Sequence, residues 1–212
     1  MPHDGHDHHH DHQHDHAPPP DDPSFSSDQA LGARALRLLL EEAGVLEPGE
    51  VARQIDRMDG ITPSMGASVV ARAWVDPAFR KRLIETPVAA CTEMGIDLQG
   101  THLHVVENTA SVHNVIVCTL CSCYPKPLLG IPPDWYKSYE YRARAVIEPR
   151  AVLAEFGVAI PDSVEVRVHD STADLRYLVL PARPQGTEGW SEEKLAAIVT
   201  RDSMIGTAIP KA

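Results

Sequence analysis

Cys118-Thr119-Leu120-Cys121-Ser122-Cys123 offers three sulfurs within six residues. Sulfurs one residue apart force the backbone between them to curl beneath whatever they bind. That brings the amide nitrogens of Ser122 and Cys123 to the same centre. Three thiolates and two deprotonated amides form a strong-field, anionic donor set with one octahedral position left open. Such a set suits a low-spin trivalent ion acting as a Lewis acid better than tetrahedral zinc. Three other uses of the cysteines remain open at this level. Structural zinc would want a second Cys or His pair at regular spacing. An iron–sulfur cluster normally takes four cysteines, yet the fourth here, Cys91, stands 27 residues upstream. The third alternative is a set of redox thiols.

The stretches around the motif carry a family resemblance. Val105-Val106-Glu107-Asn108-Thr109, then Val112 through Tyr124-Pro125, Leu129-Gly130-Ile131-Pro132-Pro133-Asp134-Trp135-Tyr136-Lys137, Arg176-Tyr177-Leu178-Val179-Leu180-Pro181 and Gly186-Thr187-Glu188-Gly189-Trp190-Ser191 resemble the alpha subunit of nitrile hydratase. So does Arg201-Asp202-Ser203-Met204-Ile205-Gly206, and the likeness runs from about Gly60 to Pro210. The resemblance implies an α+β fold, a layered α-β-β-α domain with an extended helical N-terminal arm. It implies one Co(3+) per chain, favoured over Fe(3+) because Thr rather than Ser stands at position 119. The implied ligands are Cys118, Cys121, Ser122 and Cys123, with Cys121 oxidised to a sulfinic acid, Cys123 to a sulfenic acid, and Cys118 left as a thiolate. In catalysis the resemblance implies that the Cys123 sulfenate acts as nucleophile or as base for water, that the Ser122 hydroxyl lies near the substrate nitrogen, and that Cys121 completes the site. The reaction implied is hydration of a nitrile to an amide, through an imidic acid that tautomerises.

The family also implies a beta-type subunit that donates arginines to the oxidised sulfurs, and the chain fits this. No Arg lies within twenty residues before Cys118, and Arg142 is the nearest after it. The active site is therefore expected at a subunit interface, with the chain inactive alone; an activator or metallochaperone is a further expected partner.

Two departures from the family pattern bear on substrate. Lys126 stands where relatives place a tryptophan that walls the pocket, and His169 stands where many have Trp before Asp170. A flexible cation replaces a rigid apolar surface at position 126, which assigns Lys126 to the substrate pocket. The close rival is the metal-bearing subunit of thiocyanate hydrolase, which shares the cysteine motif; Lys126 could attract its anionic substrate. A third reading is a non-enzymatic cobalt-binding accessory protein.

Composition agrees with a cytoplasmic enzyme subunit. A chain of 212 residues has no leading apolar run and no stretch of membrane-spanning length, and closely spaced thiols favour a reducing compartment. A net charge of −11 argues against nucleic acid. Residues 1–23 hold six Asp, no Lys or Arg, and eight of the twelve His. This His/Asp tail is expected to be disordered and able to collect divalent metal loosely.

Residues 24–60 read as a helical arm that lays its apolar stripe on a partner. Leu31, Ala35, Leu38 and Leu39 share a face with Gly44 as stop, and a second helix runs from Pro48 to about Met58. Residues 61–212 read as the metal-binding catalytic domain. Thr62-Pro63, Asp76-Pro77 and Thr86-Pro87 each read as an N-cap before Pro at the first helical position. His102–Glu107 and Val112–Val117 read as alternating strands, the second delivering Cys118. Glu148-Pro149 opens a helix ending at Gly157, Val164 to Val168 and Leu175 to Leu180 read as strands, and Ser191 caps a final helix. His113 is expected to serve as a structural hydrogen-bonding residue, His102 and His104 to lie on a solvated strand face, Cys91 to pack as a small apolar side chain, and Glu107 to steady the metal loop.

Overall fold

The computed structural model describes residues 28–212; the tail assigned to residues 1–23 lies outside them. By its contacts the chain divides into two units, one ending at Val51 and the other running from Ala52 to Ala212. In the first, α1 (Asp28–Glu42) has no buried residue, and Leu31, Leu36, Leu38 and Leu39 are each at least half exposed. Gly44 ends it at a φ of 68°, a conformation that costs glycine little. Helix α2 (Glu50–Asp59) starts two residues later than Pro48 suggested, and its entry is held by the Glu50 carboxylate, which accepts from the Glu47 amide.

After α2, which crosses the boundary between the units, the larger unit continues with α3 (Pro63–Val75), α4 (Pro77–Glu85) and α5 (Pro87–Glu93), each with Pro at its start. Only Asp76 caps through its side chain, accepting from the Ala78 and Phe79 amides. Thr86 follows α4 directly, and its hydroxyl donates backwards to the Arg82 carbonyl instead.

Strands β1 (His102–Glu107), β2 (Val112–Val117), β3 (Glu165–Asp170) and β4 (Leu175–Leu180) form two parallel pairs, β1 with β4 and β2 with β3. Parallel partners need long crossovers. Those between β2 and β3 are α6 (Lys126–Leu129), α7 (Asp134–Lys137), α8 (Tyr139–Ile147) and α9 (Pro149–Glu155). Helices α4 and α5 pack on β1, α8 on β2 and α9 on β3, while β2 also touches β1 and β4. The result is the expected α-β-β-α layering.

Between the layers the main core gathers Phe79, Leu83, Ile116, Leu129, Tyr136 and Leu178, all 0 % exposed. Strand β1 alternates as expected, with Leu103 and Val105 buried and both histidines out. Strand β2 does not alternate: it is buried from His113 to Val117, because elements cover both of its faces. Helix α10 (Glu192–Ala196) is capped by Ser191 but is not the last; α11 (Arg201–Ile205) follows, with a Thr200–Ser203 capping box. It ends at Gly206, φ 98°, where a Cβ would sit 2.0 Å from the Asn114 carbonyl oxygen. Only a residue without a side chain lets this turn lie against β2.

Candidate metal centre

Strand β2 hands over directly to Cys118, which is buried, while Cys123 is half-buried and Cys121 exposed. The three Sγ atoms lie within 4.8 Å of one another. Cys118 Sγ is 3.4 Å from Cys121 Sγ, which is 3.2 Å from Cys123 Sγ. Two sulfurs each about 2.3 Å from one ion would sit about 3.3 Å apart at a right angle and about 3.8 Å apart at the tetrahedral angle. The spacings fit cis positions of an octahedral site and are short for tetrahedral zinc. No fourth Cys, His or carboxylate joins them among the described residues, which disfavours both a zinc site and a four-cysteine cluster.

Three groups hold the loop from outside it. Asp170, at the end of β3, accepts from the Thr119 amide at 2.9 Å and from the Thr119 hydroxyl at 2.6 Å. Arg142 of α8 donates to the Thr119 carbonyl at 3.3 Å. The buried Tyr136 donates its hydroxyl to the Cys123 carbonyl at 2.9 Å. Pairing of Val117 with Asp170 in the β2–β3 register places the Asp170 carboxylate beside the loop. Sequence reasoning had singled out none of the three for this task. Parallel pairing of two strands separated by forty-odd residues is not written in either strand.

Glu107 does something other than expected: its carboxylate pairs with Arg80 and makes no contact with the metal loop. A separate polar chain ties β2 to the residues around it. Asn108 Oδ1 accepts from the Asn114 amide at 2.7 Å and from Asn114 Nδ2 at 3.0 Å. This turns Asn108 Nδ2 toward His113 Nδ1, 3.3 Å away, and leaves His113 Nε2 donating to the Gly206 carbonyl at 2.7 Å. His169, the departure noted before Asp170, donates from Nε2 to Asn114 Oδ1 at 2.8 Å. His113 is thus a structural histidine, as expected, and Cys91 is a fully buried apolar side chain whose thiol burial pushes up to about 11.

Electrostatics within the cysteine set are uneven. Hydrogen bonds from the Cys123 and Cys118 side chains, then from the Ser122 and Cys123 amides, bring Cys121 down to about 7. Burial, with the neighbouring cysteines, pushes Cys123 up to about 12, while the charge of Arg176 acts the other way. Within the loop the Cys121 amide donates to Cys118 Sγ at 3.2 Å.

A cavity of about 340 Å³ opens over the cysteines. Its lining brings Cys121, Ser122 and Cys123 together with Lys126 and Arg176. Lys126 is the first residue of α6 and exposed. Arg176 lies on β4, 53 positions beyond Cys123, and only the pairing of β4 with β1 carries it near the site.

A helical and two-layered parallel-strand domain with three sulfurs gathered on one loop is the architecture of a nitrile hydratase alpha chain. The profile of the family described as "Nitrile hydratase, alpha chain" matches residues 27–208, and the chain belongs to that family. It is 49 % identical over 190 residues to the low-molecular-weight cobalt-containing nitrile hydratase subunit alpha of Rhodococcus rhodochrous, covering 89 % of this chain and 92 % of that one. It is 44 % identical over 197 residues to the gamma subunit of thiocyanate hydrolase from Thiobacillus thioparus, covering 87 % and 81 %. Among solved structures, a double mutant of the Fe-type nitrile hydratase from Comamonas testosteroni Ni1 superposes with a TM-score of 0.80 at 43 % identity, covering 89 % of this chain and 93 % of the other.

Proposed function

We propose that the chain is the alpha subunit of a cobalt nitrile hydratase, adding water to nitriles to give amides. The observation that carries this is the spacing of the Cys121 sulfur, 3.4 Å from that of Cys118 and 3.2 Å from that of Cys123, with all three within 4.8 Å on a loop held at Thr119 and Cys123. Cys118, Cys121 and Cys123 would bind through sulfur, and Ser122 and Cys123 through their amide nitrogens. A trivalent cobalt bound there supplies Lewis acidity. Thr119, whose hydroxyl and amide are both taken by Asp170, is the family feature that favours cobalt over iron.

The remaining work falls to side chains. Cys121 as a sulfinate and Cys123 as a sulfenate present oxygens toward the cavity, and the Cys123 oxygen serves as nucleophile or as the base that takes a proton from water. Ser122, in the same lining, donates its hydroxyl toward the nitrile nitrogen as charge grows there. The water oxygen ends on the nitrile carbon and two protons end on the nitrogen, so the amide forms without any net redox change. Lys126 borders the space that the substrate's organic group would fill.

A beta-type subunit completes the assembly and supplies cations to the oxidised sulfurs. The solvent-exposed leucines of α1 support a partner surface. No helix among the described residues is long and apolar enough to cross a membrane, and four unpaired cysteines support a reducing, cytoplasmic setting.

Hydrolysis of thiocyanate is the second reading, favoured by the cation at Lys126 and by the likeness to the thiocyanate hydrolase subunit. Co-expression with the beta-type subunit in cobalt medium, followed by assays of amide from nitrile and of ammonia and carbonyl sulfide from thiocyanate, separates the two. Amide formation with about one cobalt per alpha chain is the expected result. Full activity with tetrahedral zinc in the site would overturn the assignment.

A further inference from the structure

Asp170 grips Thr119 with its carboxylate, and the residue after it turns inward: Ser171 is 2 % exposed. The Ser171 amide donates to the Val117 carbonyl at 2.7 Å, at the root of the cysteine loop just before Cys118. Its hydroxyl stands beside the Tyr136 phenol. Burial raises that phenol, as do Tyr141 and Cys118, while the Ser171 hydroxyl acts the other way, which is the effect of a donor set against the phenol oxygen. Yet Ser171 Oγ completes no hydrogen bond. It is the one buried side-chain oxygen or nitrogen left without a partner among the described residues. An orphaned buried hydroxyl costs stability, and such groups are rare enough in folded proteins to call for a role. Tyr136 in turn donates to the Cys123 carbonyl at 2.9 Å. Its ring is fully buried and meets Tyr124 and Trp135 edge to face at 5.2 and 6.0 Å, so it cannot swing aside.

We propose that Ser171 is a positioning residue of the metal centre, a strut between the two ends of the cysteine loop. Its amide holds the end before Cys118. Its hydroxyl, donating to the Tyr136 oxygen when an ion draws the three sulfurs together, holds the end at Cys123. This rests on the metal-centre reading above and adds to it a residue that is neither a ligand nor in contact with one through its side chain. The donor count makes the arrangement work. The single phenol proton of Tyr136 is committed to the Cys123 carbonyl, and its oxygen still has room to accept. Ser171 has a proton without a taker and a hydroxyl free to rotate. Two donations in series strengthen each other in a low-dielectric interior. The Val117 end is backbone pairing that continues the β2–β3 ladder, so it stands with or without an ion. The Cys123 end is held by side chains alone. The hydroxyl therefore contributes to metal binding rather than to folding, and a serine with an ordinary structural role would contribute to both.

The test uses the complex with the beta-type subunit, prepared with and without cobalt, in wild type, Ser171→Ala, Tyr136→Phe and the double variant. Cobalt retained after dialysis against a chelator should fall about tenfold in Ser171→Ala, with a shift in the sulfur-to-cobalt charge-transfer absorption. The unfolding midpoint of the metal-free complex should stay level or rise, because an orphaned hydroxyl has been removed. Tyr136→Phe should lose at least as much cobalt. Ser171→Ala made in that background should add nothing, since the hydroxyl acts through the phenol. Wild-type retention in Ser171→Ala would overturn the strut, and so would a further tenfold loss on top of Tyr136→Phe. An equal drop in the unfolding midpoint with and without cobalt would make Ser171 a packing residue and overturn it as well. Failure of the underlying reading looks different. A wild-type complex that takes up no cobalt, or works fully with zinc, sinks the metal-centre reading and the strut with it before any variant is compared.

Discussion

Both carboxylate oxygens of Asp170 are engaged by one residue, Thr119, through its amide and its hydroxyl. Thr119 is the first residue after Cys118, so the end of β3 sets the direction in which the cysteine loop leaves β2. With Arg142 on its carbonyl, every polar group of Thr119 is held.

Outer partners of metal ligands of this kind are commonly worth about 10–100-fold in metal affinity or activity. Asp170→Ala should therefore lower cobalt retention and kcat by about that factor. Asp170 lies on the surface, so the midpoint of thermal unfolding of the cobalt-free protein should move little. Cobalt stoichiometry after dialysis against a chelator is the measurement. Wild-type retention in Asp170→Ala would show that the pairing does not support the site.

The three cysteines should be chemically distinct. Mass mapping of the active complex should find two added oxygens on Cys121, one on Cys123 and none on Cys118. Serine at any of the three removes a soft ligand from the same ion and should reduce activity at least 1,000-fold, on the order of 4 kcal/mol. Near-normal turnover by Cys123→Ser would remove the sulfenate from the mechanism.

His113 makes stability depend on pH. Burial lowers its pKa from 6.5, against the Gly206 carbonyl, which raises it. Protonation would also turn Nδ1 into a donor facing the Asn108 amide group, which is itself a donor. The folded state therefore binds fewer protons than the unfolded chain between the ordinary and the lowered pKa, and stability rises with pH across that window. Its contribution is complete above about pH 6.5 and is lost as pH falls toward the lowered value. His169, lowered first by burial and then by Arg167, adds in the same direction. Calorimetric unfolding at pH 6 in buffers of differing ionisation enthalpy should show proton uptake on unfolding; no uptake would contradict the buried neutral imidazoles.

The tail can be tested by function alone. Removing residues 1–20 deletes eight imidazoles, so cobalt incorporation should drop in scarce medium and recover with excess cobalt. Equal incorporation by both forms at limiting cobalt would leave the tail without a loading role.

Much of the local structure was legible because it depends on neighbours in the chain. The three X-Pro helix starts, the limits of β1, β2 and β4, and the cysteine triad all follow from short-range sterics or from one compact motif. The short helices α6, α7 and α8 and the terminal α11 were not read, since four to nine residues give too little periodicity to stand out. Polar residues on β2 misled in another way. The expected alternation of β2 does not hold, because His113 and Asn114 are both buried and satisfied by Asn108, His169 and Gly206.

The chain's own residues determined what the site is made of: three sulfurs brought together follow from Cys118-Thr119-Leu120-Cys121-Ser122-Cys123, because spacing this tight leaves the loop few ways to turn. Tertiary structure decided what stands around them. Asp170, Arg142 and Tyr136 hold the loop or its last cysteine from 13 to 51 positions away, and Arg176 lines the same cavity from 53 positions beyond Cys123. They arrive there because parallel strand pairing and helix crossovers close long loops, and the register that does so is fixed by burial of whole faces, which no short stretch of sequence contains.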